Sequence, residues 1–298
     1  MAMKKKKNST LYLSDQQPLD AKGKLGLFFS YVVLIAWALA ILVPLGTMII
    51  SSFNGNQNKY ISFEGAYQFS FKQFEYLFTQ TPFFHWMWNT IKIAGISALL
   101  TLLFVSFTGY AYSRFRFKGK KASLLSIMLI QTIPAFAGIT AYYAIHSIVS
   151  GVFPPFSRTV MLILIYAGGG IASNTFILKG YIDSISPELD DAAKIDGCSN
   201  MEVYRLIVMP IAKPMLAIIF LWSFIGPFMD YMTPKILLTN VNDYTLATGL
   251  YTLISDMRTA REPVFAAGGF LIAIPIVILF MSLQDQLVSG LSAGSVKG

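Results

Sequence analysis

Apolar residues in this chain come in long, nearly uninterrupted runs, not with the alternation of strands or the one-sided stripe of surface helices. A helix crosses the hydrocarbon of a bilayer with about 20 apolar residues. Six runs meet that length: 27–50, about 86–113, 122–149, 158–178, 213–234 and 263–285. The second is the least clean, because Lys92 sits near its start. A lysine there reaches the interface along its own apolar stem. Pro44, Pro134, Pro227 and Pro275 fall inside runs and predict kinks, since membrane helices tolerate proline. The pattern predicts an all-α polytopic membrane protein with six transmembrane helices. It divides the chain into an N-terminal segment 1–26, a transmembrane domain 27–285 and a tail 286–298. The run from Leu27 to Ile50 is longer than the apolar core of a secretory signal, about 7–15 residues, and predicts an uncleaved first helix.

Composition narrows the class further. Only 13% of the 298 residues are charged and 55% are hydrophobic, where a soluble domain carries about 25% charged residues. Those figures exclude an ordinary soluble enzyme. They also exclude a disordered or nucleic-acid-wrapping chain, despite the net charge of +8. The partners expected from composition are lipid and protein, not nucleic acid. Cys198 is the single cysteine and His85 and His146 the only histidines, so neither a disulfide framework nor a histidine-rich metal site is expected. Gly119-Lys120-Lys121 lacks the upstream glycine of a phosphate-binding loop. The chain is expected to be no enzyme, with no cofactor of its own.

The charges also predict orientation, because basic residues gather on the cytoplasmic side. Lys4 to Lys7, Lys22, Lys24, Arg114, Arg116, Lys118, Lys120, Lys121, Lys179, Lys194, Arg205, Lys213 and Lys297 share one side. The other side holds Lys59, Lys72, Arg158, Lys235, Arg258 and Arg261. Both termini are therefore expected in the cytoplasm. The loops 51–85 and 235–262 then face outward, with a short one near 150–157. The largest cytoplasmic connection is 179–213, and it holds Asp183, Glu188, Asp190, Asp191, Asp196 and Glu202 in a chain with 15 acids.

Within that loop Ser186 suits a helix N-cap and Pro187 the first helical position. Glu188, Asp190 and Asp191 sit where the helix dipole favours negative charge. Leu189, Ala192 and Ala193 are spaced to form one small apolar face. Gly197 suits the helix end, and Ser199 with Glu202 reads as a capping box for a second helix. Pro210 and Pro214 mark the passage into the fifth run. An acidic helix with alanines on one face suits a groove on a partner protein. Helices that lie on membranes carry basic polar faces instead.

This loop resembles the E-A-A…G signature of the membrane subunits of ATP-binding-cassette importers. The signature is read here as Asp191-Ala192-Ala193, then Gly197, then Ile207-Val208-Met209-Pro210. Asp191 replaces the usual glutamate and Cys198 the usual alanine. The ending Gly290-Leu291-Ser292-Ala293-Gly294-Ser295-Val296-Lys297-Gly298 resembles the tail of carbohydrate-importer permeases. The stretches 222–231 and 242–250 resemble the maltose and galacto-oligosaccharide branch, in particular its smaller permease subunit. The likeness covers nearly all of the chain from about residue 25 onward.

The resemblance implies the type I importer permease fold in a bacterial plasma (inner) membrane. It implies a second, larger permease subunit, two ATPase subunits that carry ATP and Mg, an extracytoplasmic solute-binding protein and an oligosaccharide substrate. Glu188, Asp191, Ala192, Ala193, Asp196 and Gly197 would couple to the ATPase. Asp191 would pair with a basic group there, the alanines would permit close approach and Gly197 the sharp turn. Ser292, Ala293, Gly294 and Lys297 of the tail would also reach the ATPase. Substrate-path candidates are Trp222, Phe228, Asp230, Tyr231, Gln131 and Asn174, with Tyr142 beside them. Lys235 is a mundane alternative partner for Asp230. Gly168, Gly169 and Gly170 suit a close helix crossing or a bend. The alternative function is a secondary transporter or channel subunit that works without an ATPase.

Overall fold

The computed structural model describes residues 21–56, 59–61, 66–133 and 138–295. Among them no strand forms, and Asn54 with Phe69 makes an isolated antiparallel bridge. Five helices are long and apolar enough to cross a membrane: Gly23–Ser52, Phe83–Arg114, Arg158–Asp183, Asn200–Met229 and Glu262–Leu287. The chain divides into a unit up to Met48 and a second from Ile49 onward. The first unit holds most of α1 (Ala21–Ser52), whose Phe28, Leu34, Trp37 and Leu42 are all exposed. A helix apolar all round is built for lipid or for another protein.

In the second unit, α2 (Lys72–Gln80) leads into α3 (Phe83–Arg114), which packs along α6 (Arg158–Asp183). Small and polar residues make this contact, as expected where lipid removes the hydrophobic drive between helices. Thr108 and Thr175 share a hydroxyl hydrogen bond of 2.9 Å. At Gly170 a Cβ would lie 2.7 Å from the Thr101 hydroxyl, so only glycine lets the two helices come this close.

The third apolar run, 122–149, is not one helix. It forms α4 (Lys120–Ile130) and α5 (Ile139–Val152). Thr132 and Ile133 donate to the carbonyls of Leu129 and Ile130, so the chain tightens and leaves the helix just ahead of Pro134. The residue before a proline is turned away from helical geometry. Pro134 itself lies outside the described residues.

The fifth helix starts earlier and ends sooner than the expected 213–234. After α7 (Pro187–Ile195), α8 (Asn200–Glu202), a π-helical turn (Val203–Val208) and α9 (Met209–Met229) run on as one helix. Pro210 and Pro214 thus lie within it. The extra residue of the π-turn, closed by the Met209 N–H on the Tyr204 carbonyl, precedes Pro210. The helix stops where Asp230 turns extended, and α10 (Met232–Leu237) follows. After α11 (Leu246–Thr252), α12 (Glu262–Ser295) continues past the expected end at 285. Ser292, Ala293 and Gly294 are therefore on helical backbone, with their side chains, like Lys297, outside the described residues.

The N-terminal end of α3 is tied to 239–246. Trp86 Nε1 donates to the Val241 carbonyl at 2.8 Å, and Thr90 Oγ1 accepts the Leu246 N–H at 2.7 Å. Arg158, at the start of α6, donates to Thr239 in the same region.

Candidate functional site

The segment between α6 and α9 is built by local rules. The Ser186 hydroxyl accepts the Glu188 N–H at 3.3 Å, and Pro187 opens α7. At the other end the Cys198 N–H reaches the Ala193 carbonyl (2.9 Å) and the Gly197 N–H that of Lys194 (3.0 Å). This is a Schellman ending, and Gly197 supplies its positive φ of +92°. Ser199 and Glu202 form the reciprocal capping box.

Which face of α7 turns inward was not legible. Asp190 and Ala193, one turn apart, are buried. Glu188, Leu189, Asp191, Ala192, Ile195, Asp196 and Gly197 are exposed, Ile195 at 86%. Leu189, Ala192 and Ala193 therefore do not act as a single apolar face. The cause is Arg114, the last residue of α3. Its Nε lies 2.8 Å from Asp190 Oδ2 in a pair whose side chains are 10% and 5% exposed. Its two terminal nitrogens donate to the carbonyls of Ile182 (3.2 Å) and Ile185 (3.1 Å), where α6 ends. One guanidinium thus joins α3, the end of α6 and α7. Tyr110 adds a hydrogen bond to the Asn200 carbonyl (3.2 Å), and Tyr204 of the π-turn one to Ser106 (2.8 Å).

Sequence reasoning assigned Arg114 to orientation and Asp190 to the helix dipole, and missed their pairing. The available hint was an arginine closing an apolar helix, where a cation suits the free carbonyls.

A second feature lies between α6 and α9. A groove of about 420 Å³ is lined by Tyr166, Gly170, Ser173, Asn174, Ile177, Trp222, Ser223, Gly226 and Pro227. It brings together Trp222 and Asn174 from the expected substrate path. Asp230 stands beside it through Tyr166, whose hydroxyl donates to Asp230 Oδ2 at 3.1 Å. The other Asp230 oxygen accepts the N–H groups of Met232 and Thr233. Lys235 stands over the Tyr251 ring instead, 4.4 Å from its centroid, and Tyr231 stacks on that ring. Phe228 is buried against Phe224, away from the groove. Gln131 caps α4 and donates to the Ala172 carbonyl at 2.7 Å. Tyr142 packs with the cluster around Ile93 and Leu162. Tyr166, Ser173 and Ser223 line the groove without having been singled out, because a polar residue in a span carries no sequence mark of which side it faces.

Long apolar helices, an acidic helix locked onto the ends of α3 and α6, and a groove with polar groups in its wall between α6 and α9 define a multi-pass membrane transport protein. Residues 105–293 match the family model described as "Binding-protein-dependent transport system inner membrane component". The maltodextrin transport system permease protein MdxG of Bacillus subtilis is 38% identical over 271 residues, covering 90% of this chain and 95% of its own. The galactooligosaccharides transport system permease protein GanQ of the same organism is 38% identical over 276 residues, covering 91% and 96%. A crystal structure of a bacterial ABC transporter involved in the import of alginate, an acidic polysaccharide, shares the fold with a TM-score of 0.75. It is 20% identical and covers 91% of this chain and 99% of that one. The chain belongs to the binding-protein-dependent transport system inner membrane component family.

Proposed function

We propose that this chain is one permease subunit of an ATP-driven oligosaccharide importer fed by a solute-binding protein. It forms half of the translocation path, opposite a larger second permease. Two ATPase subunits carry ATP and Mg and supply the work. The named relatives, which transport maltodextrins and galactooligosaccharides, support this substrate class. The observation that carries the reading is the exposed side of α7. Leu189, Ala192 and Ile195 present a narrow apolar edge flanked by Glu188 and Asp191, on a helix clamped to the spans by Arg114.

The chain crosses the membrane six times, with α4 and α5 together making the third crossing and both termini in the cytoplasm. The segments 1–26 and 286–298 flank a transmembrane domain 27–285, whose cytoplasmic loop 179–213 carries α7. An apolar edge with an acidic rim fits a groove with basic walls. Closure of the ATPase dimer on ATP would move that groove. Because Arg114 bonds α3, α6 and α7 at once, the movement would pass to two spans as a rigid body and switch the cavity between its two openings. Asp191 supplies the charge at the rim, Ala192 the close approach, and Gly197 the turn that returns the chain to α9. Asp196 and Glu188 widen the acidic rim. Ala193 packs inward, beneath the docking edge. The tail residues Ser292, Ala293, Gly294 and Lys297 form a second ATPase contact. Trp222 and Asn174 face the substrate path, and Asp230 holds Tyr166 at its edge. Gln131, Phe228 and Tyr231 support the wall behind it.

Two substitutions test the coupling. Asp191→Lys reverses the charge on an exposed residue, and Gly197→Pro removes the positive φ that the Schellman ending requires. Both proteins should insert in the membrane and co-purify with the second permease, yet lose the ATPase subunits and uptake. Normal uptake with Asp191→Lys would overturn the coupling assignment.

A further inference from the structure

Arg114, Arg116, Lys118, Lys120 and Lys121 crowd the turn from α3 into α4, and the structure divides them into two groups. Two are engaged by the protein. Arg114 is held by Asp190 and the end of α6, and Lys120 Nζ donates to the Phe115 carbonyl at 3.0 Å, closing the end of α3. Arg116, Lys118 and Lys121 are exposed. Among the described residues none of these three has a carboxylate or a hydrogen-bond partner. The acids of this junction are already taken, Asp190 by Arg114 and Asp183 by Lys179 and Ser113. Like charges held this close repel, and an anion from outside the chain relieves them. The first turn of α4 holds no acid, so the helix dipole adds to the positive field.

The turn is braced. Tyr112 donates its hydroxyl hydrogen to Ser123 Oγ at 2.9 Å, and the Phe117 ring packs on Tyr112 with centroids 5.5 Å apart. A hollow of about 600 Å³ opens there, with Phe117, Lys121 and Leu124 in its wall. The helix that follows is uncovered, since α4 has no buried residue. Lys121, Leu125 and Leu129 recur every four residues and share one face, with Met128 beside them. Leu125 is 51% and Leu129 66% exposed. The stripe from Lys121 to Leu129 is about 12 Å long at the helical rise. One leaflet of hydrocarbon is about 15 Å deep. Cations therefore head an open apolar stripe that fits within one leaflet.

We propose that this surface docks an anionic phospholipid of the bilayer, with phosphatidylglycerol as its simplest form. The phosphate lies among Arg116, Lys118 and Lys121, and an acyl chain runs down Leu125, Met128 and Leu129. A zwitterionic lipid matches the stripe but brings a cation of its own to the cluster. An apolar protein helix matches the stripe and leaves the charges unmet. An acidic protein surface matches the charges and leaves the stripe bare. The bound lipid ties the base of α4, which the chain itself covers so little, to the junction where Arg114 holds α7. The site requires only that α3 and α4 lie in a bilayer, and it is independent of the importer reading.

The whole complex, cleared of other cysteines, carries a bimane label at Met128→Cys and is placed in phosphatidylcholine nanodiscs at low salt. Bromine on the acyl chains of added phosphatidylglycerol or phosphatidylcholine quenches the label on contact. Brominated phosphatidylglycerol should quench at about five-fold lower mole fraction, the preference that one lysine or arginine gives beside anionic lipid. Salt at about 1 M, which shortens the screening length to about 3 Å, should remove the difference. The triple variant Arg116→Gln/Lys118→Gln/Lys121→Gln should remove it too, whereas Arg116→Lys/Lys118→Arg/Lys121→Arg should keep it. The salt arm uses unsubstituted cations, so the test survives a triple variant that fails to insert. Equal quenching by the two lipids at low salt overturns the proposal. Quenching by neither also overturns it, because a protein surface would then cover α4. A preference that survives both salt and the triple variant removes the cations from the site. Loss of ATPase subunits from the triple variant with the lipid preference intact assigns the cations to that contact instead.

Discussion

Arg114 ends an apolar helix, and all its long-range hydrogen bonds go to one junction, with Asp190, Ile182 and Ile185. Removing one partner of a buried, hydrogen-bonded ion pair costs about 3–5 kcal/mol, because the other charge is left stranded. Arg114→Ala and Asp190→Ala should each loosen α7, lowering the melting temperature of the purified complex and the recovery of ATPase subunits. Arg114→Lys keeps the charge but not the planar fork, and should restore only part of both. The double variant Arg114→Met/Asp190→Leu strands no charge and should be milder than either single alanine. Losses that simply add would show that the two residues act separately. This residue scale is also where the sequence is most uneven as a guide. Ser186, Gly197, Ser199 and Glu202 follow local stereochemistry, and each is found in its expected capping role. The Arg114–Asp190 pair joins positions 76 residues apart, and no local pattern marks such a contact. The same gap hid the orientation of α7. Spacing says which residues share a face, but not which face the protein covers.

At the scale of helices, α6 holds two glycines two positions apart with opposite duties. A Cβ on Gly170 would strike Thr101 at 2.7 Å, whereas one on Gly168 would meet nothing within 4 Å. Gly170→Val should therefore force α3 and α6 apart, at a cost of about 1–3 kcal/mol for overpacking. Gly168→Ala should be neutral or stabilising by up to about 1 kcal/mol, the gain in helix propensity. Melting temperatures of the two purified variants check this, and an equal fall in both would remove the close-approach role from Gly170. The run of three glycines was legible as a crossing or bend; which glycine touches the neighbour was not. The third and fifth apolar runs show a related limit. Hydropathy located both, but Pro134 sits just beyond a break that divides one, while Pro210 and Pro214 fail to break the other. Pro44, Pro227 and Pro275 also lie inside unbroken helices, so a proline in an apolar run does not by itself mark a break, and hydropathy does not distinguish the two settings.

At the scale of the whole molecule, the contacts of Arg114 bear on how often the chain crosses the membrane. Among the described residues five helices are individually long and apolar enough to span. Arg114 closes α3 and bonds the carbonyls that end α6, so α3 and α6 finish together. Their starts are also together, since Trp86 and Arg158 both bond the 239–241 stretch. Two spans that run the same way need a return between them. The residues available for it are 115–157, which hold α4 and α5. The proposed third crossing by the broken run would supply that return, and the proposed orientation follows from the basic excess. With Cys198→Ser as background, a cysteine at Lys118 should react with a membrane-impermeant maleimide only after the cells are opened. A cysteine at Arg258 should react in intact cells. Labelling of both positions from outside would mean that α4 and α5 enter and leave by the same face. The parallel pairing of α3 and α6 would then have to be given up, and with it the rigid clamp through which α7 is proposed to drive them.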